Sequence, residues 1–181
     1  MNRALLIAAV LFISGASEAE IYKLAVPSDS GLELHWWPVV NVPAGWIHDK
    51  GASEANGVNA IVPIGRTFSD APAVIYARAI FKPRDPGTKS LTQLINDDAS
   101  DFKEHFPGTR IEERQPIRDA DGKDHRYFSF SPTDLGSWEL VAYGEEGDFY
   151  LIFTVSGSTK AALSKAQPDF EHILATYKER L

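Results

Sequence analysis

Five histidines, 25 acidic residues and no cysteine bound the chemistry open to this 181-residue chain. Without thiols, cysteine nucleophiles and thiolate zinc sites are excluded. His35, His48, His105, His125 and His172 contain no i, i+4 pair of the kind that places two zinc ligands on one helix face. The nearest approach to a serine nucleophile elbow, Gly51-Ala52-Ser53-Glu54-Ala55, lacks the second glycine that lets the strand turn sharply into the helix. Lys89-Ser90 follows Gly87 but lacks the earlier glycine of a phosphate-cradling loop. No catalytic residue, metal ligand or cofactor site is therefore assigned.

Two carboxylate groupings need separate treatment. Asp119, Asp121, Asp124 and His125 could be compared with a calcium loop, which needs a glycine at its sixth position and a glutamate at its twelfth. Counted from Asp119, the glycine falls fourth and the twelfth residue is Phe130, so a hairpin turn built on Asp121-Gly122 is expected instead. Asp97, Asp98, Asp101 and Glu104 share a helical segment. An acid–base pair there would require one carboxyl buried beside apolar groups. With polar neighbours all around, these four read as a solvated face.

The aromatic segment is the strongest candidate for contact. Trp36, Trp37 and Trp46 supply three of the four tryptophans and are interleaved with His35, His48 and Asp49. Interfaces favour tryptophan because it presents a large, rigid area. The same residues could instead fold back and seal a core edge. Pro38 holds Trp37 extended, so Trp37 is expected to turn inward and Trp36 to stand more than half exposed. These six residues form the candidate partner-contact set.

The elements that must position them follow from periodicity and turn chemistry. Ile21 to Val26, Asn59 to Ile64 and Ala73 to Phe81 read as strands, and Leu32 to Val58 as a structured loop with a short strand around Glu33 to Val39. Ser90 and Gln93 form a capping box before Leu91, Leu94, Ile95, Ala99, Phe102 and Phe106, which recur at helical spacing until Pro107-Gly108. Two hairpins follow: Thr109 to Ile117 with Arg126 to Ser131, then Ser137 to Tyr143 with Asp148 to Val155 around Gly144-Glu145-Glu146-Gly147. Phe149 to Val155 is apolar on both faces and belongs in the middle of a covered sheet. A last helix carries Leu163, Ala166, Phe170, Ile173, Leu174 and Tyr177 in one phase, capped by Ser158 or Thr159, with Pro168 expected to kink or split it. The order specifies an α+β fold: an α-β-α sandwich with a mostly antiparallel sheet and a C-terminal helix.

The first nineteen residues stand outside that fold. Arg3 precedes the apolar run Ala4 to Ile13, and small residues follow up to Ala19, the three-part layout of a secretory signal. Ten apolar residues are too few to span a bilayer, which takes about 20. Cleavage after Ala19 is expected, with Ala16 as the competing site. A single domain over residues 20–181 remains, still at −7 because Arg3 and Glu18 leave together. That acidity argues against nucleic acid and against a basic membrane-surface binder. No transmembrane segment is expected in the mature chain. A periplasmic location is expected, with secretion as the alternative.

From Trp138-Glu139-Leu140 through the acidic glycine turn, the Phe149 to Val155 strand and the Phe170-containing helix, the chain resembles the PsbP-like superfamily of photosystem II extrinsic subunits and bacterial periplasmic relatives. Pro43-Ala44-Gly45-Trp46 is similar to the Pro/Gly-Trp element near the start of such domains. The resemblance implies an α-β-α sandwich that binds protein partners and catalyses nothing. Residues and resemblance lead to one expectation: an exported, non-enzymatic protein-binding module, in specific form an immunity or inhibitor protein. A periplasmic binder of a small ligand or metal ion is the alternative, and an unrecognised hydrolase the third.

Overall fold

The computed structural model describes residues 21–28, 31–133 and 136–178; the expected signal segment and its cleavage sites lie outside them. The elements are β1 (Ile21–Ser28), β2 (Gly31–Pro38), β3 (Trp46–His48), α1 (Lys50–Asn56), β4 (Asn59–Pro63), β5 (Ala73–Phe81), α2 (Leu91–His105), β6 (Arg110–Arg118), β7 (Asp124–Ser131), β8 (Trp138–Glu146), β9 (Phe149–Gly157) and α3 (Lys160–Thr176). Every strand pairing is antiparallel, in the order β1-β2-β5-β9-β8-β7-β6, with β4 joining the β5 edge beside β2 and β3 lying beyond β4.

β9 is the expected central strand, and its alternation decides the layers. Leu151, Phe153 and Val155 enter the cluster that α3 closes with Leu163, Ala166, Phe170, Ile173 and Leu174. Tyr150 and Ile152 enter a second cluster, closed by Leu94 and Ile95 of α2 with Phe128, Phe130, Val141 and Tyr143 from the sheet. One helix therefore covers each face, giving an α-β-α sandwich. The edge strand β6 carries Pro116 at a register shift between Arg114 and Ile117, which leaves one ladder position without a donor.

Both long helices start on side-chain caps. The Ser90 hydroxyl accepts from the Gln93 amide at 3.1 Å, and Thr159 accepts from Ala162 at 3.1 Å. The Gln93 carboxamide returns to the Lys89 amide at 3.0 Å, one residue earlier than a capping box requires.

Three expectations are corrected. Leu32 to Val58 is not a loop with one short strand: it contains all but the first residue of β2, then β3 and α1, because Asp49 caps a seven-residue helix that Gly57 closes at φ +65°. The β8–β9 turn is Gly147-Asp148, with Gly144 to Glu146 continuing the strand. Pro168 does not split α3, which runs unbroken past it. Pro168 and Ser164, whose carbonyl loses its intrahelical donor, both lie on the exposed side, where water can replace the missing bond.

Candidate functional site

A cleft of about 670 Å³ opens between the β3–β4 hairpin and the first turns of α3. Its position follows from local chemistry. Pro43 and Ala44 lead into Gly45, whose φ of +88° turns the chain so that the Trp46 amide donates to the Pro43 carbonyl at 3.2 Å. The turn aims Trp46 at α3, and its indole N–H donates to Asp169 Oδ2 at 2.8 Å. Opposite, α3 offers Ala161, Ala162 and Ala166, which cannot fill the space a larger side chain would occupy. Ile64, just beyond β4, lines the cleft with 65% of its surface exposed. Arg66 and Lys165 are its charged members beside Asp169. The dimensions match those of ordinary ligand sites, which are mostly apolar with a few polar groups.

Of the expected contact residues, only Trp46 lines this cleft. The rest are dispersed. His35 and Trp36 border a second cleft of about 390 Å³, with Arg78 and Arg84. Trp37 and His48 border a third of about 310 Å³, with Tyr22 and Val39. Asp49 is held structurally, accepting from the Ala52 amide at 3.0 Å and from the Phe68 amide at 3.0 Å. His48 Nδ1 lies 2.9 Å from Asn59 Oδ1. The His35 ring rests on Gly57, where a Cβ would sit 2.3 Å from Nδ1.

Trp37 is buried as expected, at 8% exposure and stacked on Tyr22 with centroids 5.2 Å apart. The expectation of an exposed Trp36 is corrected. Its ring is half-buried against Phe81 and Phe149 at 5.5 and 6.3 Å, because the β1–β2 ribbon is covered where it joins β5.

The helix carboxylates are corrected too. Asp98 leaves the solvated face: it accepts from the Tyr143 hydroxyl and lies 3.6 Å from the Arg78 guanidinium. Beside it, burial pushes the Glu139 carboxyl up to about 7, with Asp98 adding to the rise and Ser156 opposing it. Burial likewise raises the Tyr76 and Tyr143 hydroxyls. Cross-strand pairing Glu139↔Ser156 and Tyr76↔Thr154 builds this polar row inside the sheet. Alternation along β8 predicts which side Glu139 takes; only the docked α2 makes that side dry.

A second buried group surrounds His125. Asp119 shapes the expected turn by accepting from the amides of Asp121 at 2.9 Å and Lys123 at 2.8 Å, and its other oxygen lies 3.0 Å from His125 Nε2. Burial lowers the imidazole against the opposing pull of Asp119. Neither group lines the cleft beside Trp46. Among the described residues there is no grouping of three or more histidines and carboxylates that could hold a metal ion.

No protein-family model and no curated protein matches the chain. Among solved structures, a Pseudomonas aeruginosa protein of unknown function aligns at a TM-score of 0.50 and 13% identity, over 88% of this chain and 99% of that one. Cyanobacterial PsbP from Synechocystis aligns at a TM-score of 0.43 and 18% identity, over 91% of this chain and 95% of its own. At these identities the likeness is one of fold alone.

Proposed function

We propose that the chain is an exported, non-catalytic binding module that takes a protein partner at the cleft beside Trp46, with an immunity or inhibitor role in the periplasm as its specific form. One observation carries the reading: Ile64, 65% exposed, lines an apolar cleft whose tryptophan wall is already held by Asp169. A wall fixed before binding loses little conformational freedom on association. A concave, mostly apolar cleft with a few polar groups is the ordinary form of a binding site. The placement of the perturbed groups supports binding rather than reaction, since Glu139 and His125 lie outside this cleft. Export rests on the basic start and apolar run of residues 1–19.

The test is parallel affinity capture from periplasmic extract with tagged mature protein and its Ile64→Asp variant, read by mass spectrometry. A partner retained by the wild type and lost from the variant is expected, with an unchanged unfolding midpoint. A partner retained equally by both would move the binding surface away from this cleft.

A further inference from the structure

The cleft beside Trp46 carries charge of a sign opposite to the molecule as a whole. The chain stands at −7, yet the charged residues lining this cleft are Arg66, Lys165 and Asp169. Arg66 and Lys165 belong to opposite walls, one following β4 and the other on α3, and both are exposed. Among the described residues neither forms a close ion pair, although Arg66 lies near enough to Asp70 to help the Thr67 amide lower that carboxyl. Lys165 and Asp169 stand four apart on α3, the spacing at which a helix surface usually pairs opposite charges. Here Asp169 is instead engaged by the Trp46 indole N–H at 2.8 Å. Asp169 keeps its negative charge while one of its oxygens holds the wall, so Arg66 and Lys165 leave the lining with one net positive charge over an alanine- and proline-rich floor.

We propose that the partner segment received by this cleft, on the reading given above, is acidic: an apolar side chain that enters between Ile64 and α3, flanked by carboxylates that meet Arg66 and Lys165. The net negative charge does not oppose this at contact, because charges more than about 8 Å away are largely screened at physiological salt. At long range that charge favours basic partners in general. The rim then rejects them at contact, since a like charge beside Arg66 or Lys165 is unfavourable. The arrangement therefore selects by a charge pattern around an apolar anchor, which sets specificity more than raw affinity.

The experiment uses the mature protein and two fluorescein-labelled synthetic peptides sharing a central Leu-Trp-Leu, one with two glutamates on each side and the other with two lysines. Fluorescence anisotropy is recorded with the wild type, the R66E/K165E double variant and Ile64→Asp. The acidic peptide is expected to bind the wild type about tenfold tighter than the basic one, and the preference to reverse in the double variant. Raised salt should shrink the difference, and Ile64→Asp should abolish binding of either peptide. Equal binding of the two peptides, a basic preference, or an acidic preference that survives R66E/K165E overturns the acidic-partner inference. If Ile64→Asp still abolishes binding in those cases, the cleft itself stands. Absence of binding by either peptide up to about 1 mM, an affinity of only about 4 kcal/mol, overturns cleft and inference together.

Discussion

Around His125, packing, polarity and backbone geometry constrain one another. With Asp119 accepting from Nε2, the ring's Nδ1 is a bare acceptor, buried without a partner. It is tolerated because the ring also packs edge-on against Phe153 and Tyr177, with centroids 5.6 and 6.1 Å away. It fits because β8 carries Gly144, where a Cβ would stand 2.4 Å from Nδ1. Gly144→Ala should therefore cost about 1–3 kcal/mol in urea unfolding, although alanine normally suits a strand better than glycine. Phe153, 1% exposed and 5.2 Å from the Tyr177 ring, should cost about 3–5 kcal/mol when cut to alanine. Glu139 gives a pH signature. Its carboxyl is raised from the ordinary 4.5 to about 7, so the folded chain holds the proton that the unfolded chain has already released. Stability from this group is complete below about 4.5 and is lost as pH rises toward 7, by about 2 kcal/mol for a half-buried side chain. His125 acts in the opposite direction: its lowered value withdraws stability as pH falls below about 6.5. Chemical denaturation of Glu139→Gln across pH 4 to 8 should lack the loss between 4.5 and 7, while the acid-side decline remains.

Elements formed where local signals and burial agreed. α2 had both a cap and an apolar stripe, and its Ser90 hydroxyl satisfies an amide that would otherwise face solvent alone. Ser90→Ala should lower the unfolding free energy by about 1 kcal/mol without altering the binding cleft, which α2 does not line. Thermal melts of the variant, followed in the far-ultraviolet, check this. α1 was illegible for the opposite reason: seven residues with Gly51 in the first turn carry too little propensity to stand out. What holds α1 is non-local. Asp49 caps it and also accepts the Phe68 amide, and the Ser53 hydroxyl accepts from the Ala60 amide in β4 at 2.9 Å. β3, with three residues, is shorter still and exists because Pro63, Val62 and Ile61 lie alongside it.

At the scale of the molecule, the sandwich places its two helices on opposite sheet faces and leaves the β3–β4 hairpin to meet α3 across a gap. On the proposal of export, mass spectrometry of the accumulated protein should find a chain beginning near Glu20. An intact Met1 would remove the compartment from the proposal. The sequence by itself determined the layers, because Phe149 to Val155 is apolar on both sides and two amphipathic helices were available to cover it. It also determined the Asp119 turn, which depends on neighbours within a few residues, whereas Trp37 is buried against Tyr22 across the β1–β2 pair. Only the tertiary structure decided how the aromatic segment is divided among three clefts and which carboxylates are dry. Trp46 meets Asp169 across 123 positions of chain, and Asp98 meets Tyr143 across 45. Contacts at that separation depend on which strands become neighbours, and no local periodicity records that choice.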